Sequence, residues 1–415
     1  MKLDCNDSIR VIGPSVLKQD KIPMLRVQVG FANDYKPCIA RLPDGTLLLT
    51  DFHWHTEQHG VTSGLSGNWE PSVEHMVLHR STDMGKTWDI GRHLPFSGRE
   101  PYFTVLKDGK IFMTTSVLFL DVMNAKGHGY SVLYSSEDGG ATWDSQEFIM
   151  EGSRWESYNS FSRKILERPD GVLMLGYFPG ARGREMMLYS KDRGKSWEAK
   201  RTYFKGYDPQ AYDLSLMDEA VMFYSPSGRM MMITRVDLSH LKFTVDVPFV
   251  EYNSEVAGGF DHYHRAILFE SKDEGHSWEP VRGLGFMGIM YPSIVPLGKG
   301  KMLYTFTVRA PVYTHMGVQA VVIEELADGT FQVDMDKDRL LIDEKTPDYL
   351  VSGGGFEPTI RLDDETLMTS YSYRPDTRKY DIKNKVFDAA NFNMYVERYP
   401  SQVEVAIWNI PPEWR

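Results

Sequence analysis

Apolar residues in this chain fall in short runs broken by Gly-, Asp- and Ser-rich turns, and one arrangement of runs and turns comes back along its whole length. An apolar stretch leads into an Asp-Gly-like turn and out into a second apolar stretch in KPCIARLPDGTLLLTDF (36–52), EPYFTVLKDGKIFMTTSV (100–117) and SFSRKILERPDGVLMLGYF (160–178). It does so again in EAVMFYSPSGRMMMITR (219–235), YPSIVPLGKGKMLYTFTVR (291–309) and EPTIRLDDETLMTSYSYR (357–374). Asp-Gly and Ser-Gly supply the positive φ a tight hairpin turn needs, so each copy reads as two antiparallel strands. Long amphipathic stretches of helical period are hard to find.

A third run, such as MVLHR (76–80), YSVLY (130–134), MMLYS (186–190) or AILFE (266–270), leads into an eight-residue box. The boxes are STDMGKTW (81–88), SEDGGATW (136–143), SKDRGKSW (190–197) and SKDEGHSW (271–278). Their Ser and Asp suit hydrogen bonds to nearby backbone, Gly permits a left-handed turn, and Trp can bury its ring beneath it. The box therefore reads as a turn lock without chemistry of its own. Six repeats of about four short strands predict an all-β fold, a six-bladed β-propeller of four-stranded antiparallel blades forming one domain over 1–415.

Composition narrows the partners. Hydrophobic residues at 42% allow a large core, and a net charge of −11 without a basic run excludes a phosphate-backbone binder, so no nucleic acid is expected. No membrane span is expected either, because no run of about 18 apolar residues exists. Cys5 and Cys38 are too few for a disulfide framework or a zinc motif and read as free thiols. Charged residues in the first twenty positions argue against a secretory leader, which predicts a cytoplasmic protein, or a secreted or periplasmic one if a leader has been removed.

The four boxes and six hairpins resemble the sialidase (neuraminidase) superfamily, or BNR-repeat family, over nearly the whole chain. That resemblance implies a site on the propeller axis with an acid/base carboxylate, a Tyr nucleophile assisted by a Glu, and three arginines clamping a carboxylate. Glu219 and Arg235, at the ends of the fourth hairpin, match the family's Glu and one arginine; Glu70 falls where the acid/base Asp stands, and Arg309 resembles another clamp arginine. Two positions depart. Tyr35-Lys36-Pro37 replaces the family's Arg-Ile-Pro, and Phe356-Glu357 occupies the nucleophile's place. A carboxylate nucleophile suits an ordinary aldose better than a sugar bearing its own anomeric carboxylate, which points to a hexose, deoxyhexose or uronic acid.

Independently of the resemblance, aligning the hairpins places Lys36, Glu100, Asn159 or Ser160, Glu219, Tyr291 and Glu357 in a ring. Crowded carboxylates there are expected to raise at least one pKa, giving an acid and a base or nucleophile. The loop DFHWHTEQHG (51–60) adds His53, His55 and Trp54 as candidate sugar contacts, and FDHYHR (260–265) adds His262 and His264. Tyr373 is a candidate aromatic contact. Arg163, Arg361 and Arg374 read as surface charges.

The function expected is an exo-acting glycoside hydrolase taking a glycan, with no cofactor and no metal. Its catalytic residues would be Glu70, Glu219 and Glu357, and its substrate contacts Lys36, His53, His55, Trp54, Glu100, Arg235, Tyr291, Arg309 and Tyr373. The alternatives are a true exo-sialidase using Tyr371, Tyr373 or Tyr291, a polysaccharide lyase, and a carbohydrate-binding propeller without activity.

Overall fold

In a computed structural model, the described residues are 2–54, 74–117, 124, 126, 128–148, 160–178, 185–206, 219–237, 264–308, 315–344, 350–355, 358–375, 398 and 400–415. Their regular structure is almost wholly β. A 3-10 turn, Pro412–Trp414, stands near the C-terminus. Among the described residues no helix is long and apolar enough to cross a membrane.

Two four-stranded antiparallel sheets come first, each in strict chain order. Sheet one holds Asp34–Arg41, Leu47–Trp54, Glu74–Ser81 and Arg92–Ser97, and sheet two holds Arg99–Val105, Ile111–Val117, Tyr130–Ser136 and Asp144–Phe148. Sheet three runs Ser160–Phe161, Leu173–Phe178, Met186–Ser190, Glu198–Arg201, with Leu166–Glu167 also on its second strand. Sheet four runs Val221–Tyr224, Met230–Asp237, His264–Ser271, Ser277–Leu284, with Tyr203–Phe204 added in parallel.

The remaining strands form one eleven-stranded sheet. One half carries Ile289–Gly298, Lys301–Val308, Gly317–Glu325 and Arg339–Leu341; the other carries Leu350–Gly354, Thr366–Pro375, Gln402–Asn409 and Lys21–Val29. Asp7–Ile12 joins them by pairing with both Arg339–Leu341 and Lys21–Val29. The second strand of the chain, Lys21–Val29, thus lies directly against Gln402–Asn409, near the other end of the chain.

Both faces of the inner strands are apolar because both are buried, which is why runs such as MMMI do not alternate with polar residues. Met230 and Met232 enter the core shared with sheet three, whereas Met231 and Ile233 enter the core shared with Met302, Tyr304 and Phe306. Further cores lie between sheets one and two (Leu48, Leu78 with Phe103, Met113) and between sheets two and three (Phe112, Leu133 with Leu175, Tyr177). Two more lie between the halves of the large sheet (Leu303, Leu340 with Leu367, Trp408) and between its second half and sheet one (Val405, Ile407 with Leu47, Leu49).

The boxes act as the pattern predicts, and do more. In the first, Gly85 N–H donates to Ser81 Oγ at 2.9 Å, Thr87 N–H and Oγ1 reach Asp83 at 3.0 and 2.7 Å, and Trp88 Nε1 donates to Gly85 O at 3.1 Å. The Ser–Gly bond recurs at 2.8 Å in the other three. The third and fourth boxes also press on the preceding sheet: a Cβ on Gly194 (φ 81°) would lie 2.4 Å from Phe112 Cζ, and one on Gly275 (φ 87°) 2.5 Å from Met174 Cε.

Candidate functional site

Four strand-entry residues share an unusual backbone. Lys36 (φ 52°), Glu100 (φ 57°), Glu219 (φ 54°) and Tyr291 (φ 54°) are all left-handed, and each precedes its hairpin turn residue (Asp44, Asp108, Ser227, Lys299) by eight positions. Register shifts accompany three of them, between Tyr35 and Cys38, Arg99 and Tyr102, and Met290 and Ser293. A bulge leaves one residue without a ladder bond, and the prolines at 37, 101 and 292 have no N–H to lose there.

From these entries a chain of alternating charges is built. Lys36 Nζ donates to Glu100 Oε1 at 2.5 Å; Arg163 Nη2 lies 3.1 Å from Glu100 Oε2 and 3.7 Å from Glu219 Oε1; Arg235 Nη1 donates to Glu219 Oε1 at 2.5 Å. The backbone N–H of Tyr291 donates to the other Glu219 oxygen at 3.0 Å, and Lys36 Nζ stands 5.4 Å from the Tyr291 ring centre. Side chains in the chain are between 3 and 12% exposed, so water screens these pairs weakly.

Crowding does not raise Glu100: burial pushes its carboxyl up, but Lys36, Arg163 and Arg99 pull it further the other way, to well below the usual carboxylate range. Interleaved cations turn like-charge crowding into pairing. Lys36 is held above its ordinary value, since Glu100 and the tyrosine rings outweigh its burial. Arg163 is no surface charge either; it is 6% exposed and bridges two carboxylates. The eight-residue spacing back from Asp170 falls on Ser162, not on Asn159 or Ser160, so Arg163 directly follows the position equivalent in spacing to the four strand entries. That spacing is the signal that finds it.

His53 sits at the same end of sheet one, opposite Asp34 in register, with Nδ1 2.7 Å from Asp34 Oδ1. Its ring is 20% exposed and meets His93 edge to face at 6.0 Å. Tyr373 is placed elsewhere: it is fully buried with Tyr371 in the core between the halves of the large sheet, its hydroxyl 3.3 Å from Arg26. Glu70, His55, Arg309, Glu357 and the Trp54 side chain lie outside the described residues.

Short sheets in chain order, Asp-box turn locks against the preceding sheet, and charged side chains at the inner strand entries define a repeat-built all-β protein of the Asp-box class. The BNR repeat-like domain family matches residues 32–304, and the chain belongs to it. A curated sialidase of Bacteroides fragilis is 22% identical over 232 residues, covering 53% of this chain; the chain spans 40% of that protein's length. Among solved structures, a Dyadobacter fermentans protein of unknown function superposes with a TM-score of 0.58 at 16% identity, over 97% of this chain and 98% of that one. The NanB sialidase of Streptococcus pneumoniae superposes at 0.56 and 12% identity, over 99% of this chain and 72% of its own. At such identities these structures share the fold.

Proposed function

We propose that the sheets close around one axis as a six-bladed propeller and that the chain is an exo-acting glycoside hydrolase for a terminal, acidic sugar. The ring is supported by the succession of cores, sheet one on two, two on three, three on four, four on the first half of the large sheet, that half on the second, and the second on sheet one. The activity is supported by the family and by the curated sialidase.

The observation that carries the reading is the charge chain at the strand entries. Among the described residues it sets three cations, Lys36, Arg163 and Arg235, against two carboxylates, Glu100 and Glu219, with Arg99 close enough to act on both Lys36 and Glu100. The excess is positive in a protein whose net charge is −11, which favours an anionic substrate. In this reading Glu70 protonates the glycosidic oxygen, and Glu219 with Glu357 attacks the anomeric carbon or activates water. Lys36, Arg235 and Arg309 hold the sugar's carboxylate, while His53, with His55 and Trp54 beside it, contacts hydroxyls and the ring face. Glu100 stays ionised and sets Lys36 and Arg163.

A second reading, a true sialidase, is favoured by one observation: Tyr291 adjoins Glu219, which accepts its N–H. Both are tested with a panel of aryl glycosides including sialosides and uronides, run with the parent, Glu219→Gln and Glu70→Gln. The expected result is turnover of a uronide by the parent and a loss of about 100-fold or more in each variant. Variants that equal the parent on a substrate it cleaves would remove both residues from the chemistry, and cleavage of the sialoside alone would select the second reading.

A further inference from the structure

A second polar group lies behind His53, on the face of sheet one that also carries Leu47 and Leu49. Asp34 enters the first strand, Asp51 lies on the second and His79 on the third; all three are 0% exposed. His79 Nε2 stands 3.6 Å from Asp51 Oδ2 and 4.0 Å from Asp34 Oδ2, beyond hydrogen-bond length. Among the described residues neither oxygen of Asp51 and neither ring nitrogen of His79 makes a hydrogen bond of ordinary length, although the two groups, 3.6 Å apart, act on each other's charge. Buried polar atoms without partners are costly, and a pair of them on facing strands calls for a physical explanation.

The surroundings are shaped closely around these atoms. A Cβ on Gly30 (φ 73°) would fall 2.2 Å from Asp34 Oδ2, and one on Gly91 (φ 79°) 2.3 Å from His79 Cε1. Asp34 is oriented from outside, with Oδ1 bonded to His53 Nδ1 at 2.7 Å and Oδ2 accepting the Phe31 N–H at 2.5 Å. One donor atom from each of Asp34, Asp51 and His79 lies within 4.8 Å of the other two. Tetrahedral ligands bonded at about 2.0–2.1 Å lie about 3.3 Å apart, so a cation would need His79 to close on the two carboxylates by about 0.3 and about 0.7 Å and the carboxylates to close on each other by at most about 1.5 Å. Two carboxylates and one imidazole suit a first-row divalent ion that accepts both nitrogen and oxygen, and a histidine bonded to a ligating carboxylate is a common means of orienting it.

We propose that Asp34, Asp51 and His79 bind one first-row divalent cation, zinc or manganese in kind, which pins the start of the strand carrying Lys36 to the second and third strands of sheet one. The site goes beyond the hydrolase reading and stands whether or not that reading holds. Its role is to fix the strand entry two residues before Lys36.

The full chain is stripped with chelator, desalted, and titrated separately with zinc, manganese and cobalt chlorides. Metal per chain is measured after gel filtration, cobalt absorption in the visible range is recorded, and the thermal midpoint is followed with and without metal. The expected result is about one equivalent retained, a saturable cobalt spectrum, a raised midpoint, and at least about tenfold weaker binding in Asp51→Asn and His79→Gln. Retention below about a tenth of an equivalent by the parent overturns the proposal, as does retention by folded variants equal to the parent's. An Asp51→Asn chain as stable as the parent, with neither responding to metal, would also overturn it and identify a proton-sharing pair. If both variants fail to fold, the stoichiometry and cobalt spectrum of the parent decide.

Discussion

Arg163→Met tests the charge chain most directly, because it keeps an unbranched stem and deletes the one cation, among the described residues of the charge chain, that faces both buried carboxylates. At 3.1 Å from Glu100 and 3.7 Å from Glu219, the gross attractions are about 5 and about 4 kcal/mol with an effective dielectric near 20. Desolvation of the guanidinium offsets much of that, and removing one partner of a buried pair typically costs about 3–5 kcal/mol. The low end is expected here, since Glu100 retains Lys36 and Glu219 retains Arg235. The assay is urea unfolding of parent and variant at about pH 7.5 and about pH 3.5. Glu100 is depressed in the folded state, so the stability it contributes is fully present above its ordinary value of 4.5 and is lost as pH falls through the folded value. The gap between parent and variant should therefore be about 3 kcal/mol at the higher pH and smaller at the lower. A gap below about 1 kcal/mol at pH 7.5 would show that Arg163 does not hold these carboxylates.

Gly194→Ala and Gly171→Ala separate backbone strain from packing, for both residues have φ near +80° but only the first has a neighbour in the way, Phe112 at 2.4 Å. Calorimetry should show a loss of about 1–2 kcal/mol for Gly171→Ala and about 1–3 kcal/mol more for Gly194→Ala; equal losses would mean the boxes do not pack on the preceding sheet. Burial pushes Asp343 up to about 6 from 3.8, against bonds from Ser352 Oγ at 2.6 Å and Val318 N–H at 2.7 Å. A raised folded value means that the stability this group contributes is full below 3.8 and lost as pH rises through about 6. Asp343→Asn should then gain on the parent between about pH 4 and pH 8, by at most about 3 kcal/mol, and a flat difference in unfolding free energy would refute this.

The hairpins and boxes were legible because each is written locally: turn residues at a fixed offset between apolar runs need no knowledge of the rest of the chain. The shared strand-entry positions were legible for the same reason, as Lys36, Glu100, Glu219 and Tyr291 keep one spacing to their turns. What local pattern could not carry was the sign of the electrostatics. Glu100 reads as one of several crowded carboxylates until Arg163, 63 positions away, is seen between it and Glu219. His79 was equally hidden: it looks like an ordinary polar residue in an apolar run, and only the cross-strand register sets it beside Asp51 on one buried face.

Four left-handed residues at equivalent places are a repeated device rather than four accidents. A residue with a side chain at positive φ costs about 1 kcal/mol or more, and the strand-entry bulges break the pleat just where the inner strands start. The gain is directional: a bulge turns the first side chain out of the alternation that would send it into a core. Tyr291 adopts the same φ as Glu219 although it carries no charge, so the backbone device belongs to the fold and the chemistry belongs to whichever residue occupies it. Strain of this kind persists where surrounding structure over-determines it, and here each entry is tied to another sheet, Lys36 N–H to Ser372 Oγ at 3.2 Å and Tyr291 N–H to Glu219. A scaffold built this way can exchange Tyr, Lys or Glu at its entries without redrawing the backbone.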